Sequence, residues 1–150
     1  MTCFWDSIRE SLNLNLISNE EFINNLKNKN NLTKDIKWNN EYLNDKQLEE
    51  NYQHIKNFEI SDIYNGYDCS SCEPFLFLIA NIYKKNIYHN YNGIDILYYK
   101  SIDSSKLSFS SNTGHFWYNK HISNNILNNY QNNVDDIQIT SEGPTWDPPF

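Results

Sequence analysis

The chain has few cysteines, glycines and prolines, and it lacks a long apolar run. Its 150 residues include three cysteines, four glycines and four prolines. An odd number of cysteines without a secretory signal indicates reduced thiols rather than a disulfide framework. No apolar run approaches the roughly 18 residues that cross a bilayer, and charged residues interrupt the N-terminal stretch where a signal peptide would be apolar. We therefore expect a protein that is not secreted and has no membrane as a partner.

Basic residues are also scarce. Twelve Lys and Arg stand against nineteen Asp and Glu, which gives a formal net charge of -7. Nucleic-acid affinity comes largely from Lys and Arg that neutralise phosphates. The charge balance therefore argues against nucleic acid as a partner.

The chain length is typical of one domain that can bury a substantial core. The composition changes near residue 120, where asparagine pairs and then Gly143-Pro144 replace the periodic apolar pattern. We predict a domain over residues 1–120 and an extended arm over residues 121–150. Trp146 and Phe150 are candidates for docking the arm, either on this domain or on another chain in a self-association.

Apolar spacing and turn residues predict helices first and strands later. Helical spacing and capping residues favour four helices, and alternation favours a short early strand and four later ones. This order indicates an α+β domain in which a small, mostly antiparallel sheet is covered by helices. The predicted helices begin at Cys3, after Ser18, after Asn44 or Asp45 and at Glu73, and the predicted strands cover residues 35–38, 86–91, 94–99, 106–110 and 115–119.

Cys3 lies in the first turn of the first predicted helix. Phe4, Ile8 and Leu12 recur at helical spacing and would face a core. The start of a helix carries partial positive charge, which favours the nucleophilic thiolate form of a cysteine placed there. Cys3 is therefore either the nucleophile of a cysteine hydrolase or a small buried apolar residue, depending on whether a histidine is its partner.

One of the four histidines is placed to be that partner. His54 is expected at a solvated helix surface, His89 is expected to be structural within a strand, and His121 opens the asparagine-rich arm. His115 follows a glycine turn at the start of a strand, where a side chain can be directed into a cleft. A cysteine hydrolase needs such a base to hold the thiolate and to protonate the leaving amine. Cys3 and His115 are accordingly the predicted catalytic pair.

Three segments resemble the ovarian-tumour (OTU) family of cysteine proteases. Cys3–Ile8 resembles the nucleophile motif of that family, and Gly114–Phe116 resembles its catalytic-histidine strand. Ser71–Ala80, with Tyr83 and Asn86–His89, resembles its central helix and the strand that follows. The three segments occur in the family's order. The resemblance implies a papain-like OTU fold and hydrolysis of the isopeptide bond after the C-terminal Gly-Gly of ubiquitin or a ubiquitin-like modifier. It implies no metal and no cofactor. The short N-terminal region is similar to that of OTU-like proteins of large DNA viruses, which implies the host cytoplasm or the virion as the location.

Two positions depart from the family pattern. An Asp or Asn often lies two residues after the family's histidine, but Trp117 stands there, and an indole cannot accept a hydrogen bond from the imidazole. Asn119 is about 13 Å along the strand from His115, which is too far for it to take the place of that Asp or Asn. The family's oxyanion loop before the cysteine is also expected to be largely missing, because only Met1 and Thr2 precede Cys3. The alternative is therefore an OTU-fold protein with impaired catalysis, serving as a ubiquitin-binding or virion structural module.

Cys69 and Cys72 form a C-x-x-C motif before the helix that begins near Pro74. Such a motif can supply two of the four ligands of a zinc site, or it can act as a redox pair. A second pair of ligands with zinc spacing does not follow in the sequence. We expect two reduced cysteines that pack near the central helix, and a thiol redox protein remains a weaker alternative.

Aromatic residues make up 15% of the chain. Most are expected in the core and on the sheet surface. Trp5, Trp38 and Trp117 are candidates for lining a channel that holds an extended peptide tail such as Leu-Arg-Gly-Gly.

Overall fold

A computed structural model describes residues 2–120. The arm predicted over residues 121–150, and His121 with it, lies outside the described residues. The described chain contains four α-helices, six strands and one 3-10 helix. In chain order these elements are α1 (Cys3–Ser11), α2 (Asn19–Asn28), β1 (Lys37–Trp38), β2 (Glu41–Tyr42), α3 (Asp45–Lys56), the 3-10 helix (Ile60–Asn65), α4 (Pro74–Ile82), β3 (Lys85–Tyr91), β4 (Ile94–Tyr99), β5 (Ser105–Asn112) and β6 (His115–Tyr118).

The helices begin where the sequence predicts. Ser18 Oγ accepts a hydrogen bond from the backbone N–H of Glu21 at 3.0 Å and caps α2. Asn44 and Gln47 form a reciprocal capping box at the start of α3. Glu73 caps α4, and Pro74 occupies the first helical position, where a missing N–H costs nothing. Local hydrogen bonding thus accounts for these three boundaries.

The six strands form one sheet in the order β2-β1-β4-β3-β5-β6. The predicted α+β class with a mostly antiparallel sheet is confirmed. The expected run of antiparallel strands is wrong at one place, because β3 and β5 pair in parallel, with Lys85 opposite Ser105 and Tyr91 opposite Ser111. The chain leaves β4, passes the beginning of β3 and enters β5 on its other side.

Asn86 holds this crossing connection in place. Its side-chain oxygen accepts hydrogen bonds from the backbone N–H groups of Lys100 at 2.7 Å and Ser101 at 3.2 Å. Its amide donates to the carbonyl of Ser101 at 2.7 Å and, more weakly, to that of Ser104 at 3.5 Å. Asn86 is almost fully buried. One buried side chain therefore satisfies the backbone of the turn that makes the parallel pairing possible.

The core is centred on α4, which packs against β3, β4 and α3. Seven consecutive residues of α4, from Pro74 to Ala80, are buried. At one end of this core the Trp5 ring is fully enclosed, with ring centroids at 4.8 Å from Phe4, 5.6 Å from Phe58 and 4.8 Å from Phe75. These contacts attach the first turn of α1 to the central helix.

Candidate functional site

A cleft of about 460 Å³ lies where α1 begins, at the end of the sheet where β6 also begins. Cys3 and His115 both line it. The predicted catalytic pair, 112 positions apart in the sequence, therefore meets at one cavity. The remaining wall comes from residues 65–69 and 111–114, together with Tyr91, Asn92 and Phe116.

Cys3 is the first residue of α1 and is half-buried. Thr2 precedes the helix, but its hydroxyl donates to Asp6 Oδ2 at 2.7 Å rather than accepting from a backbone N–H of the first turn. No side chain of residues 2–120 caps α1. The start of α1 therefore has no side-chain cap, and the acidic residue of its first turn is Asp6.

Direct contacts between α1 and β6 bring the two residues together. The Phe4 and Phe116 rings, each adjacent in sequence to one member of the pair, have centroids 4.7 Å apart. Ser7 Oγ donates to the carbonyl oxygen of Phe116 at 3.3 Å. The cleft is thus fixed by packing beneath it, although no hydrogen bond joins Cys3 Sγ to the His115 ring.

His115 is exposed, and its ring stacks on that of Trp117, with centroids 5.1 Å apart and an interplanar angle of 28°. Among the described residues no side chain or carbonyl accepts a hydrogen bond from the imidazole. Asn119 lies beyond the end of β6, where its Nδ2 donates to Ser108 Oγ and Ser110 Oγ. The residue two positions after His115 therefore contributes a stacking indole and not a hydrogen-bond acceptor.

The other described histidines, His54 and His89, lie where the sequence predicts. His89 also makes a polar contact that leads to the cleft. His54 is exposed on α3, and its Nε2 is 2.8 Å from the Tyr67 hydroxyl. His89 is buried within β3, where its Nε2 is 2.8 Å from Ser111 Oγ. Cys69 Sγ donates to the same hydroxyl at 3.8 Å. A line of polar groups from His89 through Ser111 to Cys69 thus reaches the cleft.

Sequence reasoning did not find Ser111 or Tyr67 as cleft residues. Ser111 reaches the cleft because β5 lies parallel beside β3, which places it opposite Tyr91. A sheet predicted to be antiparallel does not give that neighbour. The Asn65-Gly66 turn was a recognisable signal for Tyr67, since Gly66 has a φ of 82° and redirects the chain into the cleft wall.

The predicted tryptophan channel is not formed. Trp5 is fully buried in the core. Trp38 donates from Nε1 to the carbonyl of Ser71 at 3.1 Å, and Trp117 stacks on His115. None of these indoles lines the cleft, which is mostly walled by small and polar residues.

Cys69 and Cys72 are free, half-buried thiols. Burial raises the pKa of each to about 11. A redox pair needs a thiol with a lowered pKa to act as the attacking thiolate, so this environment opposes the redox alternative. Within residues 2–120 no group of three His, Cys, Asp or Glu side chains is placed to hold a metal ion.

Because His89 is buried, the folded protein should become less stable as the pH falls. Burial lowers the pKa of His89 to about 4, against an ordinary value of 6.5. Between these values the unfolded chain binds the proton and the folded chain does not, so stability falls as pH falls. We expect wild type to lose about 3 kcal/mol relative to His89→Gln between pH 7.5 and pH 4. Urea unfolding of both proteins at several pH values measures this difference, and a constant difference would contradict a neutral buried imidazole.

No protein-family model, curated protein or solved structure matches this chain. Among the described residues, none of the helices is both long enough and apolar enough to span a bilayer.

Proposed function

We propose that this protein is an OTU-like cysteine peptidase that hydrolyses conjugates of ubiquitin or a ubiquitin-like modifier. The observation that carries the proposal is that Cys3, at an uncapped helix start, and His115, at a strand start, line the same cleft. The modifier as substrate comes from the sequence resemblance. From the same resemblance we propose the host cytoplasm or the virion as the place of action.

The proposed reaction proceeds in two steps. His115 takes the thiol proton of Cys3, and the thiolate attacks the carbonyl carbon of the isopeptide bond. The C–N bond breaks as His115 returns the proton to the departing lysine amine, which leaves a thioester on Cys3. A water molecule then attacks the thioester and gives a proton to His115, and breaking of the C–S bond releases the carboxylate product, with the thiol restored.

A second candidate function is a modifier-binding module with impaired catalysis. The observation that favours it is the stacking of His115 on Trp117, with no acceptor for the ring among the described residues. An imidazole whose orientation is not fixed by a hydrogen bond is a less effective base. The binding function requires only the cleft, not the proton transfer.

A ubiquitin probe with a C-terminal electrophile distinguishes these functions. We expect wild type to form a covalent adduct and Cys3→Ala to form none. Cys72→Ala is the matched control, because it removes another half-buried free thiol that does not line the cleft, and it should label like wild type. Mass spectrometry of the adduct locates the modified residue.

The remaining outcomes are also decisive. Absence of an adduct from wild type, with ubiquitin still binding in a titration, would replace the peptidase by the binding module. Absence of both adduct and binding would reject both functions. Labelling that persists in Cys3→Ala would show that Cys3 is not the nucleophile.

A further inference from the structure

Glu73 is a fully buried carboxylate with more hydrogen bonds than a helix cap requires. Its Oε2 accepts from the backbone N–H of Phe75 at 3.1 Å, which caps α4. The same oxygen accepts from the Tyr67 hydroxyl at 2.6 Å, and Oε1 accepts from the backbone N–H of Ser70 at 2.9 Å. Two of these three bonds therefore reach back to the segment that forms a wall of the cleft.

Tyr67 connects this carboxylate to the first turn of α1. Its ring centroid lies 4.8 Å from that of Phe4 and 5.3 Å from that of Trp5, the two residues that follow Cys3. Tyr67 and Cys69 themselves line the cleft. A continuous set of contacts thus runs from the start of α4, through the cleft wall, to the helix turn that carries the proposed nucleophile.

All of the donors that Glu73 meets are neutral. Burial raises the pKa of Glu73 to about 7. The titratable groups around it are Tyr67, Cys69 and Cys72 in the preceding segment and Tyr98 on β4, whose hydroxyl accepts from the Glu73 N–H at 2.8 Å. Burying a carboxylate among neutral groups is costly, and capping α4 does not require it, since a serine or asparagine caps a helix without a charge.

We propose that Tyr67 and Glu73 form a positioning pair that fixes the cleft wall against the first turn of α1. This role rests on the proposed function, in which the wall and Cys3 must be held in one arrangement for the substrate. Neither residue is assigned contact with the reacting atoms. The Tyr67 ring packs against α1 and so fixes the cleft wall relative to that helix. Glu73 fixes Tyr67 by accepting a hydrogen bond from the Tyr67 hydroxyl.

Tyr67→Phe is the primary test, because it removes the hydroxyl, with its bonds to Glu73 and His54, and keeps the ring contacts. Hydrogen exchange should become about 10-fold faster for backbone amides in residues 67–70 and also in residues 4–6. The rate of labelling by the ubiquitin probe should fall about 10-fold, since displacing a reacting group by about 1 Å costs up to 10²-fold. Glu73→Gln should change the same amides. The matched control Tyr83→Phe, which removes a tyrosine hydroxyl outside the cleft, should change neither readout.

The exchange experiment is independent of peptidase activity. If wild type fails to react with the probe, the proposed function fails, while faster exchange in both segments still supports the positioning pair. Faster exchange in residues 67–70 without any change in residues 4–6 would overturn the proposal, because the wall would then not be coupled to α1. Unchanged exchange in both segments of Tyr67→Phe would overturn it as well.

Discussion

His115→Ala should label with the ubiquitin probe about 10² to 10⁴ times more slowly than wild type. This range is the usual contribution of one general acid or base. The physical reason is that His115 is the histidine among the described residues that lines the cleft with Cys3. Stopped reactions resolved by gel or by mass spectrometry at pH 7.5 give the rate constants.

His54→Gln is the matched control for this experiment, because glutamine keeps a hydrogen-bonding side chain beside the Tyr67 hydroxyl, from which His54 Nε2 lies 2.8 Å away. His54 is also exposed, but it lies on α3 and does not line the cleft. We expect a labelling rate within about twofold of wild type. A comparably small effect of His115→Ala would contradict its role as base and would leave the helix start as the source of Cys3 reactivity.

Asn86→Ala should lower the free energy of unfolding by about 3 kcal/mol. The substitution leaves backbone groups of Lys100 and Ser101 without partners in the connection that crosses β3. These three bonds are partly buried, so each lost bond costs about 1 kcal/mol, the lower end of the range for a polar group that loses its partner. Urea denaturation of wild type and variant gives the difference, and the same variant should unfold with a single transition if the crossing connection is part of the cooperative core.

Asn81→Ala provides the comparison for this stability change. Asn81 lies at the end of α4 and is half-buried, and within residues 2–120 its side chain bonds only to the side chains of Asn31 and Lys100. Its loss should cost less than about 1 kcal/mol, because water replaces those partners. Equal costs for the two variants would mean that Asn86 does not hold the crossing connection.

The local elements of this fold could be predicted because their signals are local. Ser18 and Asn44 cap helices through bonds to residues three positions later. The hairpin between β3 and β4 follows from Asn92-Gly93, both of which adopt positive φ. Each of these features depends on residues that are close together in the sequence, so a short stretch of sequence is enough to predict it.

The parallel pairing and the buried polar groups could not be predicted in the same way. Asn86 resembles the many surface asparagines of this chain, and only the crossing connection gives it four backbone partners. Glu73 is visible in the sequence as a helix cap, but its burial depends on Tyr67 and Tyr98, which come from other parts of the fold. For the site, the sequence indicated Cys3 and His115. It did not indicate the other residues that line the cleft.

The contact between α1 and β6 has a consequence for how the protein is made. Phe4 and Phe116 form the base of the cleft, yet a ribosome adding roughly 5–20 residues per second needs several seconds to make the chain between them. Throughout that interval a nascent chain carries the Cys3 thiol but neither His115 nor the β6 surface that α1 covers. Closing so long a loop comes late in folding, because its entropy cost precedes any gain from contact. A polypeptide that ends before β6 therefore lacks the proposed activity, which arises only when synthesis has passed that strand.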